Sequence, residues 1–259
     1  MSEFLNPLHL NTFLWTLAAV GSFGFGLSKT GIPGVGILGV ALLAQAFPKS
    51  QGIALPLLIV SDFVAGYVYF RHAIWSKMLR MFPWAAIGII AGYALMLHLQ
   101  SQPDSAQLIN HWIGWMLVAL VALSIWWRWL RKKPIDPEQP DSHGLPFEIG
   151  VGILAGFTTM IANAAGPIMV LFLLRMRLPK LQFIGTCSCF FLVLNCFKVP
   201  LMIHAQLITM QTFWIDLAFI PFSLLGAFAG WVVIKWIHQA VFETVCLVLT
   251  LPAALWLLK

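Results

Sequence analysis

The chain has 259 residues, of which 60% are hydrophobic and 9% are charged, with a mean hydropathy of +0.89. A soluble domain carries about 25% charged residues, so this composition excludes a soluble protein and predicts a polytopic helical membrane protein. The net charge of +6 does not indicate a nucleic-acid partner, because the basic residues lie between apolar segments and form no stripe with interleaved aromatic residues.

Apolar segments recur along the chain, and about 20 apolar residues are needed to cross the hydrocarbon core of a bilayer. The first, residues 12–27, follows no basic stretch and precedes no small-residue cleavage site, so we interpret it as a membrane segment and not as a signal peptide. In chain order, the predicted helices cover residues 11–27, 34–47, 51–70, 81–99, 108–130, 147–161, 167–178, 181–203, 211–234 and 240–258.

The basic residues predict the orientation of these helices. Of the 15 lysines and arginines, 11 fall in loops on one predicted side and two on the other. Cytoplasmic loops carry the excess of lysine and arginine. We therefore expect a protein of the cell (inner) membrane whose two termini both lie outside, on the periplasmic side. The 11 residues are Arg71, Lys77, Arg80, Arg128, Arg131, Lys132, Lys133, Arg175, Arg177, Lys180 and Lys235.

Short motifs recur in the same order in both halves of the chain, at a nearly constant offset. Lys49 is predicted to lie outside and its counterpart Lys180 inside, so the two repeats are related by inversion, which is typical of secondary transporters. We divide the chain into a first repeat (1–99), a connecting helix and cytoplasmic linker (100–146), and a second, inverted repeat plus terminal helix (147–259). The matched pairs are Phe47-Pro48-Lys49 with Leu178-Pro179-Lys180, His72-Ala73 with His204-Ala205, Gly24-Phe25 with Gly156-Phe157, Gly34 with Gly166, and Gly88/Gly92 with Gly226/Gly230.

Each repeat begins with a helix pair that glycine, proline and polar residues interrupt, over residues 26–36 and 158–167. Irregular backbone is tolerated at membrane depth only where protein or a cavity satisfies it. Each pair is therefore either a re-entrant hairpin or two short crossings. The predicted fold class is an all-α polytopic membrane protein with two inverted-topology repeats and broken or re-entrant first helix pairs.

The two breaks are also the predicted binding site. Pro33 and Pro167 are expected in the first turn of the helix that follows each break, and such helix N-termini attract anions. Alternatively, the glycines only allow close packing and Lys29 extends to a membrane surface, as Lys198 is also placed to do. The substrate-binding candidates are Lys29, Thr30, Gly31, Gly34, Thr158, Asn163, Gly166, Asn195 and Lys198, with Ser28 and Thr159 as further hydrogen-bond donors.

Several ionisable residues are candidates for coupling or gating. Asp62 lies near the centre of its predicted helix, where an unpaired charge costs at least about 2.5 kcal/mol, so either a coupling-ion role or a buried structural pair is expected. His72 and His204 lie at opposite membrane surfaces, as a proton-linked gate or as simple helix-end markers. Asp216 and Glu243 lie near segment ends and are expected to be solvated.

The residues do not indicate an enzyme, a cofactor or a metal site. Ser28 and Lys29 face apart on a helix, which disfavours a nucleophile–base pair, and Cys187 and Cys189 are expected to be packing residues. The pattern G-x-x-x-x-G-K-[ST] is absent from the sequence, so we expect no ATP hydrolysis. The expected partners are a small anionic substrate and membrane lipid, and the sequence leaves room for a homo-oligomer.

Two groups of motifs resemble the TauE/SafE sulfite exporter family, from about residue 15 to the C-terminus. Leu27-Ser28-Lys29-Thr30-Gly31 and the segment Leu55-Pro56 to Ser61-Asp62 are similar to its first repeat. Asn195-Cys196-Phe197-Lys198-Val199-Pro200 is similar to the asparagine–lysine–proline segment of its second repeat. The resemblance implies export of small sulfur-containing anions, such as sulfite or organosulfonates like sulfoacetate, driven by a proton or ion gradient. An anion channel, or a transporter of another small organic anion, is the alternative.

Overall fold

Long apolar segments separated by short turns form helices throughout the described part of the chain. The computed structural model describes residues 12–47, 50–100, 115, 145–176, 178–238 and 241–242, and every regular element in these ranges is helical. Almost all of the predicted connecting helix 108–130, linker 131–146 and terminal helix 240–258 lies outside them. The helices are α1 Thr12–Thr30, α2 Val35–Ala46, α3 Ser50–Tyr69, α4 Trp75–Gln100, α5 Leu145–Ala162, α6 Gly166–Arg175, α7 Lys180–His204 and α8 Met210–Trp236, with a 3-10 turn at Phe70–His72.

The helices differ in whether they are long enough to cross a membrane. Among the described residues, four segments are both long and apolar enough: Ser50–His72, Trp75–Leu99, Lys180–His204 and Met210–Trp236. By contrast, α2 has 12 residues and α6 has 10. At about 1.5 Å per residue, neither reaches the roughly 30 Å needed to cross the hydrocarbon core.

Two helix boundaries differ from the predicted ones for reasons of tertiary contact. The helix predicted over 81–99 begins at Trp75, because Lys77 and Arg80 in its first turns pair with the buried carboxylate of Glu148 on α5, at 2.8 and 3.6 Å. The first helix, predicted to end at residue 27, continues to Thr30. The Thr30 hydroxyl contacts the carbonyl oxygen of Ala227 on α8 at 2.7 Å, which anchors this last turn.

Glycines bring two pairs of helices into close contact. A Cβ atom at Gly88 of α4 would overlap the carbonyl oxygen of Ile153 on α5. In the same way, a Cβ atom at Gly226 of α8 would overlap the carbonyl oxygen of Phe23 on α1. The prediction that these glycines allow close helix packing is confirmed.

Two hydrophobic clusters flank the centre of the bundle. One is built mainly from α1, α2, α3 and α8 around Phe25, Leu57 and Phe219. The other is built mainly from α4, α5, α6 and α7 around Ile89 and Phe172. Helices α3 and α7 pack against each other between these clusters, and this contact positions the polar side chains described below.

Two buried carboxylates were not expected from the sequence. Asp216, predicted to be solvated, is only 1% exposed, because it lies on the face of α8 that also buries Thr212 and Phe219. Its nearness to a helix end is therefore no guide to its exposure. Glu148 is also 1% exposed and was not singled out from the sequence. Glu243 lies outside the described residues.

Candidate functional site

The first break is shorter than predicted and spans residues 31–34. Gly34 has φ 109°, a conformation that favours glycine, and Gly31 lies directly against the backbone of Gly230 on α8. Helix α2 begins at Val35, so the prediction that Pro33 occupies its first turn is wrong. With this positive φ angle Gly34 lies outside the helix, so the first helical residue is Val35, two positions after Pro33.

The second break spans residues 163–165. Asn163 has φ 51°, in the left-handed region where asparagine is better tolerated than most side chains. Pro167 lies in the first two positions of α6, as predicted. The Asn163 side-chain amide donates a hydrogen bond to the carbonyl oxygen of Gln51 on α3 at 3.1 Å, which fixes this turn against the first half of the chain.

Side chains cover carbonyl groups at the C-terminal ends of the two interrupted helices. The Ser188 hydroxyl donates to the Lys29 carbonyl oxygen of α1 at 2.9 Å. The Lys198 ammonium donates to the Thr159 carbonyl oxygen of α5 at 2.9 Å. Helix C-termini carry a partial negative charge, so these donors offset it at both breaks.

A cavity lies between the two breaks. The centres of water-sized molecules could occupy about 50 Å³ of it, which is enough for a few waters or one small anion. Part of the wall is formed by glycines at the N-terminal ends of α2 and α6, namely Gly34, Gly36 and Gly166. Its polar side chains are Ser28, Lys29, Thr159, Asn163, Ser188 and Asn195.

An ion pair joins this wall to the core. Lys29 Nζ lies 2.8 Å from Asp62 Oδ1, and the two side chains are 13% and 0% exposed. Lys29 Nζ also lies 4.1 Å from the ring centroid of Phe191, a cation–π contact. The other carboxylate oxygen of Asp62 accepts a hydrogen bond from Asn195 Nδ2 at 2.7 Å. Asp62 is thus a buried paired carboxylate, and its coupling role stays a prediction.

Lys198 is completely buried and bonded to the second break. Its Nζ donates to Asn163 Oδ1 at 2.6 Å, to Asn195 Oδ1 at 3.1 Å and to the Thr159 carbonyl at 2.9 Å. It also lies 3.1 Å from the Thr159 hydroxyl. Lys198 therefore does not extend to the membrane surface.

These contacts form one continuous network between the two breaks. It runs from Lys29 at the end of α1 through Asp62 and Asn195 to Lys198 and on to Asn163. Hydrogen bonds and one ion pair therefore connect the two breaks through α3 and α7.

The structure separates the predicted substrate-binding residues into two sets. Lys29, Gly34, Asn163, Gly166 and Asn195 border the cavity. The others lie behind its wall: Thr30 bonded to Ala227, Gly31 against Gly230, Thr158 bonded to Leu154 of its own helix, and Lys198.

Sequence reasoning missed several cavity residues of α7, and it interpreted Cys187, which also borders the cavity, as a packing residue. Ile184, Ser188 and Phe191 border the cavity with Asn195, at spacings of four, three and four residues. Such spacing places residues on one helix face, so the pattern leading to Asn195 was the available signal.

The two candidate gating histidines lie away from the cavity, at helix ends. His72 is exposed in the 3-10 turn after α3. His204 is exposed at the end of α7, and its Nδ1 lies 2.5 Å from the Tyr93 hydroxyl of α4. A gating role for either histidine stays a prediction. No group of three or more histidine, cysteine, aspartate or glutamate side chains in the described ranges could hold a metal ion.

A family model described as Sulfite exporter TauE/SafE matches residues 13–257. Comparisons with characterised proteins and with solved structures find no match. The matched range includes both breaks, the cavity between them and the network from Lys29 to Asn163.

Proposed function

Because the chain belongs to the sulfite exporter TauE/SafE family, we propose that it is a secondary transporter that exports a small sulfur-containing anion, such as sulfite or an organosulfonate. The cavity between the two breaks carries this proposal. Its bound anion would contact the side chains of Lys29, Asn163 and Asn195, and the backbone at Gly34 and Gly166.

Helix ends support binding of an anion at this place. The N-termini of α2 and α6 border the cavity, and a helix N-terminus carries up to about half a positive charge. Ser188 and Lys198 donate to carbonyl groups near the opposing C-termini of α1 and α5. The positive helix ends therefore face the cavity, while the negative ends are offset by side chains.

The residues behind the wall have a supporting role in this proposal. Thr30 and Gly31 fix the end of α1 against α8, Thr158 is bonded within α5, and Lys198 holds the second break. Asp62 is the proposed coupling residue, because it connects Lys29 to the second break. His72 and His204 are proposed gating residues at the two ends of the pathway.

We further propose that the two breaks are re-entrant hairpins in inverted repeats. Helices α2 and α6 are too short to cross a membrane, which favours hairpins that turn back midway. The close pair α4–α5 resembles the close pair α8–α1, each with a glycine against a partner carbonyl. Such duplicated contacts are what two inverted repeats would produce. With the orientation that the basic residues predict, both termini would lie on the periplasmic side of the inner membrane.

Flux measurements on reconstituted protein test the function. We expect proteoliposomes to carry sulfite under an imposed pH gradient, and Lys29→Met to reduce the flux at least tenfold, because it removes the cation in the cavity wall. Lys235→Met, at an exposed position over Trp231, is the matched control and should retain flux. Absence of flux for every sulfur anion would contradict the proposal. An electrical current that corresponds to far more ions per second than a transporter carries would favour an anion channel.

A further inference from the structure

The charges around the cavity do not balance. Within the described ranges, the charged side chains at the cavity wall or bonded directly to wall residues are Lys29, Asp62 and Lys198. Two of them are cations and one is a carboxylate. Whether this excess is real depends on the ionisation of each group, which the hydrogen bonds determine.

Lys198 must be an ammonium ion. The Thr159 carbonyl oxygen, Asn163 Oδ1 and Asn195 Oδ1 can only accept hydrogen bonds, and each lies within 3.1 Å of Lys198 Nζ. The amide orientations follow from the other bonds of these asparagines, whose nitrogens donate to Gln51 and Asp62. Three acceptors require three N–H groups, which only the charged form of lysine has.

Asp62 must be a carboxylate for a similar reason. Both of its oxygens face nitrogen donors, Lys29 Nζ at 2.8 Å and Asn195 Nδ2 at 2.7 Å. Its charge is therefore offset by Lys29, and together the pair is neutral. The acceptors of Lys198 are all uncharged oxygens, so its positive charge has no carboxylate partner in the described part of the chain.

Other ionisable groups on the surrounding helices do not supply the missing charge. On α7, Cys187 borders the cavity as a neutral thiol, and Cys189 is buried nearby. On α3, the Tyr69 hydroxyl donates to the Thr30 carbonyl oxygen at 2.9 Å. On α5, Glu148 is paired with Lys77 and Arg80.

A buried charge that lacks a countercharge is costly to keep in a protein interior. One bound monoanion would make the site neutral, whereas a dianion would leave it with a negative excess. We propose that this site selects singly charged oxyanions, such as hydrogensulfite and monoanionic sulfonates, over doubly charged ones. This inference rests on the proposed function and adds the charge of the transported species.

Two probes of fixed charge and similar tetrahedral shape test the inference: methanesulfonate, with one negative charge, and sulfate, with two. Their dissociation constants would be measured by calorimetry on the purified full-length protein. We expect methanesulfonate to bind at least tenfold more tightly than sulfate. Equal or tighter binding of sulfate would overturn the inference.

A change in the fixed charge of the site sharpens the test. Asp62→Asn keeps the shape of the side chain and raises the net charge from one to two, so the preference should shift toward sulfate by at least tenfold. Asp216→Asn removes a buried carboxylate that belongs to neither the cavity wall nor the network, and should leave the preference unchanged. An unchanged preference in folded Asp62→Asn protein would overturn the inference. If this variant does not fold, the preference of the wild-type protein decides.

The result also distinguishes this inference from the proposed function. Binding of both probes with a preference for sulfate would contradict the selection of monoanions and leave anion transport standing. Failure of the wild-type protein to bind methanesulfonate, sulfate or sulfite would contradict the proposed function itself, and the inference with it.

Discussion

Lys198 lies one turn after Asn195 on α7, and it donates hydrogen bonds both to Asn195 and to Asn163 of the second break. The sequence predicts polar lining from this spacing, because residues three apart share a helix face. It gives no sign of the acceptors, which come from Thr159 and Asn163, 39 and 35 residues earlier in the chain. The role of this lysine in holding the second break could only be found from the three-dimensional structure.

Replacement of Lys198 by methionine should destabilise the protein. The change leaves the Thr159 carbonyl and the two asparagine oxygens without their donor, and each buried unpaired group costs about 1–3 kcal/mol. We expect a loss of about 3 kcal/mol in the free energy of unfolding, measured by denaturant titration in detergent. Lys235→Met should change it by less than about 0.5 kcal/mol. Equal stability of the two variants would show that Lys198 does not hold the break.

Asp216 shows where position along the chain misleads. A carboxylate six residues after the start of α8 reads as solvated, yet it shares a buried face with Thr212 and Phe219. Residues at this spacing share one helix face, whereas distance from the helix end is no guide to burial. By contrast, the central position of Asp62 correctly indicated that it needed a partner, because an unpaired charge at that depth is costly.

At the scale of the helix, the glycines of the sequence had two different uses. Gly34 occupies a positive φ that a break requires, and the Gly226 position brings two helices together. Glycine and proline therefore predicted both breaks to within a few residues. The boundaries were less accurate, because the last turn of α1 depends on the contact of Thr30 with α8, which no local pattern reveals.

Gly226→Ala should loosen the contact between α8 and α1. The added methyl group would overlap the Phe23 carbonyl oxygen, and forced overpacking costs about 1–3 kcal/mol. Gly150→Ala is a matched control in α5, since no atom lies within 4 Å of the added carbon. Alanine is the better helix former, by up to about 1 kcal/mol. Thermal melts should therefore place Gly226→Ala below the wild type and Gly150→Ala at or above it; the reverse order would contradict the packing described.

At the scale of the whole molecule, composition and family membership establish a membrane protein of an anion-exporter family. The inverted arrangement of its halves is a stronger statement, because it depends on orientation. Many of the basic residues that predict orientation, such as Arg131 and Lys132, lie outside the described residues. Orientation therefore needs its own experiment.

Cysteine labelling in intact cells measures the orientation directly. In a cysteine-free background, Gln211→Cys at the start of α8 should react with a membrane-impermeant maleimide added outside. Lys235→Cys at the other end of α8 should react only after permeabilisation, because the basic ends are predicted to face the cytoplasm. Both positions are exposed. The opposite labelling pattern would show that the protein has the reverse orientation and would contradict the prediction.

One small oxyanion is proposed to bind between the two breaks. Selenite resembles sulfite in shape and charge, and its selenium atom can be located by anomalous diffraction from crystals of the protein. We expect a selenium peak between the N-termini of α2 and α6, close enough to Lys29 Nζ for a selenite oxygen to accept a hydrogen bond from it. Transport of selenite by a protein that shows no selenium peak in this cavity would contradict binding of the anion between the two breaks.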